Sequence, residues 1–87
     1  MRLFIANLPY SLSEDELSDY FAQCGPLRSC ELVKNRQTGQ SRGYAFVEFQ
    51  SDLDAEEAIK RLNESVLGGR RIIVREAKPR RYDHVFR

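Results

Sequence analysis

Hydrophobic and polar residues alternate with a period of two in four short segments of the chain, and this alternation predicts four β-strands. The predicted strands cover Arg2–Leu8, Leu27–Lys34, Arg42–Gln50 and Arg71–Ala77. The segment RGYAFVEF (residues 42–49) shows the pattern most clearly. Its small or apolar positions predict one buried face, and they are Gly43, Ala45, Val47 and Phe49.

Two segments between these strands repeat apolar residues at helical spacing and are predicted to be amphipathic helices. The first begins at Ser13, an N-cap candidate followed three residues later by Glu16, which is the pattern of a capping box. It is predicted to end at Gly25. The second begins with Ser51 or Asp52 as its cap. The apolar stripes are Leu17, Tyr20, Phe21 and Cys24 in the first helix, and Ala55, Ala58, Ile59 and Leu62 in the second.

The elements therefore follow the order β-α-β-β-α-β. The polar segment 35–41 is a predicted hairpin loop, and segment 64–70 is a turn with room for a short extra hairpin. This order predicts an α+β, ferredoxin-like sandwich, in which a four-stranded antiparallel sheet carries two helices on one face. We expect one domain over residues 1–78 and a basic tail over residues 79–87.

Two helices can cover only one face of such a sheet, so the other face must meet solvent or a partner. Right-handed crossovers place the first and third strands in the centre, which predicts that Phe4, Tyr44 and Phe46 cluster on the bare face. A monomer rarely exposes such a patch without a use, and unpaired nucleobases stack on aromatic rings. By alternation the bare face carries Arg2, Phe4, Ala6, Glu31, Val33, Arg42, Tyr44, Phe46, Glu48, Ile73, Arg75 and Ala77.

The charge distribution supports a basic binding face. The net charge is only +1, but residues 1–69 contain 7 basic and 11 acidic side chains, whereas residues 70–87 contain 7 basic and 2 acidic ones. This asymmetry predicts a domain with one basic face. The small net charge argues against strong nonspecific binding of polyanions, and we expect a modest binder, about micromolar, unless other domains or the tail assist.

The sequence contains no residue pattern typical of a catalytic or metal site. Cys24 and Cys30 have five residues between them, which is neither a redox pair nor a zinc-ligand pair, and the single histidine, His84, lies far away. We expect reduced cysteines, no cofactor, no metal and no enzymatic activity, because no nucleophile is paired with a base. The sequence also contains no apolar run of the roughly 20 residues that cross a bilayer, and no signal-peptide pattern opens it.

Two motifs resemble those of a known family. LFIANL (residues 3–8) and RGYAFVEF (residues 42–49) are similar to the hexamer and octamer ribonucleoprotein motifs of the RNA recognition motif family. The octamer agrees with the family pattern at every defined position. The hexamer has the expected aromatic residue, Phe4, and the expected Asn7–Leu8 ending. The resemblance extends from Arg2 to about Lys78.

The resemblance implies a single-stranded RNA-binding module with assigned positions. Phe4 and Tyr44 would each stack a base, Phe46 would pack against the sugars, and Arg42 would bind a phosphate. Gly43 and Ala45 are expected to be small because they face the helices, and Phe49 to belong to the core. Arg2 is predicted to lie beside the aromatic residues. Candidates for hydrogen bonds to base edges are Glu31, Glu48 and Arg75. Candidates for phosphate contacts are Arg36, Lys78, Arg80 and Arg81.

Other interpretations stay open at this stage. The sheet could be masked by the tail, where Tyr82 and Phe86 are four residues apart, or by a partner, and the domain would then be a protein-interaction module. The acidic helix starts could form a protein-docking surface. The nucleic acid could be single-stranded DNA. We expect a protein of the nucleus or cytoplasm acting in mRNA processing, or of an organelle if the chain is a fragment that has lost its targeting segment.

Overall fold

The computed structural model describes residues 1–77, which form two helices and six strands. The predictions for Lys78, Arg80 and Arg81, and for the tail residues 82–87, concern positions outside this range. The elements in chain order are β1 (Arg2–Ala6), α1 (Glu14–Ala22), β2 (Leu27–Lys34), β3 (Ser41–Phe49), α2 (Asp52–Leu62), β4 (Val66–Leu67), β5 (Arg70–Arg71) and β6 (Ile73–Glu76).

Four of the strands form one antiparallel sheet with the order β2-β3-β1-β6. The predicted α+β, ferredoxin-like fold is therefore confirmed, including the central position of β1 and β3. The register pairs Phe4 with Phe46 between the central strands, and Phe4 with Arg75 between β1 and β6. Alternate residues of each strand consequently line up on the same face across the whole sheet.

The core lies between the helices and one face of this sheet. Helix α1 buries Leu17 and Phe21, while α2 contributes the small residues Ala55 and Ala58 together with Leu62. These side chains meet the residues on the inner face of the sheet, as the alternation along the strands predicts. The fully or almost fully buried strand residues are Leu3, Ile5, Leu32, Ala45, Val47, Phe49 and Val74, and Ile72 lies just before β6.

Both helices begin where the sequence predicts them. Ser13 caps α1, since its Oγ accepts a hydrogen bond from the Glu16 N–H at 3.1 Å and the Glu16 carboxylate accepts one from the Ser13 N–H at 2.9 Å. Ser51 is the N-cap of α2 and accepts from the Leu53 N–H. The end of the first helix was predicted too late, because the helix stops at Ala22 and Gly25 lies in the turn that follows.

The predicted fourth strand is wrong in its first part. Arg70 and Arg71 pair with Val66 and Leu67 across a Gly68–Gly69 turn, in which both glycines have positive φ (59° and 84°). This is the short hairpin that the sequence left room for, and two residues with positive φ are what a type I′ turn requires. The backbone of the next residue, 72, exchanges hydrogen bonds with residues 64 and 65, so the strand of the main sheet begins only at residue 73.

The first strand is also shorter than predicted. It ends at Ala6 because Asn7 adopts a left-handed backbone conformation with φ 63°. Asparagine tolerates this conformation better than other residues that carry a side chain. The chain nevertheless makes one more hydrogen bond to β3 after β1 ends, since the Leu8 N–H donates to the carbonyl of Gly43 at 2.9 Å.

Cys24 and Cys30 are free thiols, as expected, and both are partly buried. Burial, assisted by the nearby Glu14 carboxylate, raises the pKa of the Cys30 thiol from 9.0 to about 11. The folded protein thus favours the neutral thiol, and any stability that this contributes is complete below pH 9 and is lost as the pH rises towards 11.

Because only the thiolate reacts with alkylating agents, we expect folded Cys30 to react with iodoacetamide more slowly than the same residue in urea. The pH midpoint of the rate should move from about 9 in urea to about 11 in the folded domain. Mass spectrometry of the Cys30 peptide at a series of pH values measures the alkylation rate and its pH midpoint. Equal midpoints would show that the fold does not protect this thiol.

Candidate nucleic-acid interface

Three aromatic rings lie together on the sheet face opposite the helices. The ring centroid of Phe4 is 5.8 Å from that of Tyr44 and 5.6 Å from that of Phe46, with interplanar angles of 47° and 51°. We refer to Phe4, Tyr44 and Phe46 as the aromatic cluster. All three side chains are partly buried against one another and their neighbours, and the predicted clustering is confirmed.

The core determines where these rings point. The residues next to them along β1 and β3, such as Ile5 and Ala45, are fully buried under the helices. Since side chains alternate between the two faces of a strand, burial of one set turns the aromatic set towards solvent. A shift of register by one residue would bury the rings and expose the core, so the position of the cluster is strongly specified.

Arg2 occupies part of this face. Its guanidinium carbon lies 4.3 Å from the ring centroid of Phe46, which is a cation–π contact. One of its nitrogens also lies 3.8 Å from a carboxylate oxygen of Glu31, on the far side of β3. One face of Phe46 is therefore already in contact with a planar cation in the free domain.

The other predicted residues of the sheet lie around the cluster. The register places Arg75 beside Phe4, Glu31 beside Phe46 and Glu48 beside Arg2. Arg42 lies at the start of β3 and lines a pocket next to Tyr44.

The β2–β3 loop provides a second basic surface next to Arg42. The Asn35 side-chain oxygen accepts hydrogen bonds from the N–H groups of Gln37 and Thr38, at 2.8 and 3.1 Å, and so shapes the loop. A shallow concavity here is lined by Val33, Lys34, Asn35, Arg36, Gln37 and Arg42. Arg36 was a predicted phosphate candidate, whereas Lys34 was not recognised from the sequence.

The pocket next to Tyr44 contains residues that the sequence analysis did not assign. Asn7, Tyr10 and Arg70 line it together with residues of the aromatic cluster. Tyr10 directly follows Pro9 in the loop after β1, and its side chain is 68% exposed. An aromatic residue in a polar loop was the available signal for Tyr10, but only the β4–β5 hairpin brings Arg70 to the same place.

The expected reason for the small size of Gly43 is wrong. Gly43 has φ +84°, and a Cβ atom there would lie 3.0 Å from Cε1 of Tyr10 and 3.5 Å from the Leu8 carbonyl oxygen. Glycine is thus required by its backbone conformation and by the close approach of the Tyr10 ring, not by the helices. Ala45, in contrast, is fully buried under the helices as predicted.

No group of three or more His, Cys, Asp or Glu side chains in residues 1–77 is arranged to hold a metal ion. None of the helices found there is long and apolar enough to span a membrane.

Comparisons with known proteins agree with this geometry. The family model described as RNA recognition motif matches residues 3–73. A Sex-lethal homolog of Chrysomya rufifacies is 42% identical over 77 residues, which are 88% of this chain and 25% of the relative. The crystal structure of RNA Binding Protein PG1 has a TM-score of 0.87 at 38% identity, over 92% of this chain and 96% of that one. The structure of a Sxl-lethal protein/RNA complex has a TM-score of 0.87 at 37% identity, over 90% and 47%.

The fold and the aromatic cluster define a small α+β domain in which no helix of residues 1–77 covers the outer face of the sheet. The family match over most of the chain then identifies it: the chain belongs to the RNA recognition motif family. It spans about a quarter of the length of the Sex-lethal homolog, which is a longer protein.

Proposed function

We propose that this domain is a non-catalytic module that binds single-stranded RNA across the open face of its sheet. Phe4 and Tyr44 each stack a base, Phe46 packs against the sugars between them, and Arg42 binds a phosphate. Arg2 and Arg75 add positive charge beside the rings, and Glu31 and Glu48 accept hydrogen bonds from base edges. Lys78 and Arg80 are further phosphate contacts in this proposal.

The observation that carries the proposal is the aromatic cluster itself. The rings of Tyr44 and Phe46 both lie within 6 Å of the Phe4 ring, on a sheet face that no helix of residues 1–77 covers. With arginines beside them, these rings provide both of the contacts that unpaired RNA needs. Membership of the RNA recognition motif family supports the same function, as does the likeness to a protein solved in complex with RNA.

The expected affinity follows from the contacts. Stacking contributes roughly 1–3 kcal/mol per base, so two stacked bases contribute about 2–6 kcal/mol. Taken alone, this corresponds to dissociation constants from about tens of millimolar to tens of micromolar. Phosphate contacts and hydrogen bonds must supply the rest, and with a net charge of only +1 we expect binding of about micromolar strength.

The proposal is tested by NMR titration of the isotope-labelled chain with a pool of short random RNAs at about 100 mM salt, where long-range charge attraction is screened. We expect saturable shifts of the amide signals around Phe4 and Tyr44, on the two central strands. A parallel titration with single-stranded DNA of the same sequences tests whether the 2′-hydroxyl contributes.

The absence of amide shifts from the strands of the sheet would overturn the proposal. If only arginines outside the sheet responded, the open face would be occupied or masked, and binding of a protein partner would become the leading function. Shifts confined to α1 and α2 on addition of a partner protein would indicate the same.

A further inference from the structure

A shallow pocket lies at the end of β1, directly beside the aromatic cluster, and we call it the loop pocket. It has a volume of about 270 Å³, and the residues that matter for its chemistry are Phe4, Asn7, Tyr10, Arg42, Tyr44 and Arg70. Because Phe4 and Tyr44 belong both to the pocket and to the cluster, an RNA strand that crosses the sheet can continue into it. Pockets for drug-sized ligands measure roughly 300–1,000 Å³, so this volume suits a single nucleobase.

Tyr10 provides a stacking surface in the loop pocket. The absence of a side chain at Gly43 lets the edge of the Tyr10 ring approach the sheet, since a Cβ atom there would lie only 3.0 Å from Cε1. The ring is thus held at one edge, while 68% of the side chain remains accessible. The ring is therefore both positioned and accessible, as stacking of a base requires.

Arg70 is held beside this ring by Asn7. Its Nε and Nη2 atoms donate to the Asn7 backbone oxygen and to Oδ1, at 3.3 and 2.6 Å, and the Asn7 Nδ2 donates to the Arg71 carbonyl at 2.7 Å. The guanidinium carbon lies 6.0 Å from the Tyr10 ring centroid. Within residues 1–77 no acceptor contacts Nη1, so the outer edge formed by Nη1 and Nη2 still has two N–H groups to donate.

The polar groups of the loop pocket are mainly donors. The side-chain amide of Asn7 is engaged at both ends, and no carboxylate is among the described residues that line the pocket. The remaining charged groups are the guanidiniums of Arg42 and Arg70. Guanine presents two acceptors side by side, O6 and N7, and pairs with the fork of an arginine, whereas adenine places a donor beside its N7.

We propose that the loop pocket binds one further nucleotide, with guanine preferred, its base stacked on Tyr10 and its O6 and N7 accepting from the outer edge of Arg70. This inference rests on the proposed function, since the nucleotide is the continuation of the strand bound by the aromatic cluster. The domain would therefore read three bases rather than two.

The test compares a dinucleotide with its extensions. NMR titrations give the affinity of UU, and of UU extended by G, A, C or U at its 5′ or its 3′ end. The gain is the ratio of the extended to the unextended affinity within one protein variant. We expect a gain of roughly 5- to 100-fold for G at one of the two ends, and a smaller gain for the other bases.

Variants separate the two contacts. Tyr10→Ala should abolish the gain for every base, and Tyr10→Phe should keep it, because the phenyl ring still stacks. Arg70→Lys should keep a gain but remove the preference for guanine, because lysine has no fork. Leu53→Ala, at a residue of α2 that is 75% exposed on the helical side, is the matched control and should behave as wild type. Thermal unfolding checks that each variant is folded.

Each outcome has one meaning. A gain for G that depends on Tyr10 and Arg70 supports the inference. An equal gain for all four bases would show that the pocket does not prefer guanine and would overturn the inference, as would a gain that survives Tyr10→Ala. If wild type binds UU on the sheet but no extension improves affinity, the inference fails and the proposed function stands. If wild type binds none of these RNAs, both fail.

Discussion

Replacing Phe4 and Tyr44 together by alanine is expected to weaken binding of single-stranded RNA by roughly 30-fold or more. Each ring stacks one base in the proposed complex, and stacking contributes about 1–3 kcal/mol per base. Loss of both stacks removes at least about 2 kcal/mol, and every 1.4 kcal/mol is a factor of ten in affinity. Titration of the double variant with the same RNA pool as wild type measures the effect.

The matched control for this pair lies on the opposite side of the domain. Leu53 is a large apolar residue of α2 that is 75% exposed, and Leu53→Ala should leave RNA affinity unchanged. Thermal unfolding of the double variant should show a modest loss, since each aromatic pair contributes about 0.5–1.5 kcal/mol beyond its buried area. An RNA affinity equal to that of wild type in a folded double variant would exclude the aromatic cluster as the binding platform.

Phe49→Ala is expected to destabilise the domain by about 3–5 kcal/mol, the usual cost of emptying a fully buried phenylalanine site. Phe49 is 1% exposed and packs under the helices. Small domains lose roughly 4–8 °C of Tm per kcal/mol, so Tm should fall by at least about 12 °C. Urea and thermal unfolding followed by circular dichroism measure this loss.

Phe46→Ala is the internal comparison, because the same residue type lies three positions away on the same strand but on the other face. Phe46 is only partly buried, and its main contacts are the Phe4 ring and the Arg2 guanidinium. We expect a small loss of stability and a clear loss of RNA affinity. Similar losses of stability in the two variants would contradict the assignment of the two faces.

Patterns among residues close together in the sequence were enough to predict the helices, the strands and their arrangement. The alternation in residues 42–49 separates the buried Val47 from Tyr44, which lies on the opposite face and is only partly buried, and Ser13 with Glu16 locates the start of α1. Each of these signals depends on residues within a few positions of one another. The order of the elements then leaves few topologies, because crossover connections have a fixed hand.

The features that were missed depend on contacts between distant parts of the chain. Asn7 and Arg70 are 63 positions apart, and their hydrogen bonds exist only because the β4–β5 hairpin folds back against the end of β1. The break in the predicted fourth strand has the same origin, since Arg70 and Arg71 pair with the hairpin rather than with the sheet. Gly43 was correctly expected to require a small residue, but the reason, Tyr10, lies in a loop whose path the pattern does not determine.

The contact of Arg2 with Phe46 makes RNA binding a competition rather than a simple addition. A sugar or base that takes this face must first displace the guanidinium, and the apparent dissociation constant rises by the inverse of the fraction of molecules in which Arg2 has swung away. The exposed ion pair with Glu31 contributes at most about 1 kcal/mol, and a cation–π contact at such a site about 0.5–1 kcal/mol. Two stacked bases, at roughly 1–3 kcal/mol each, exceed this threshold, so the contact of Arg2 with Phe46 weakens the binding of a strand without preventing it.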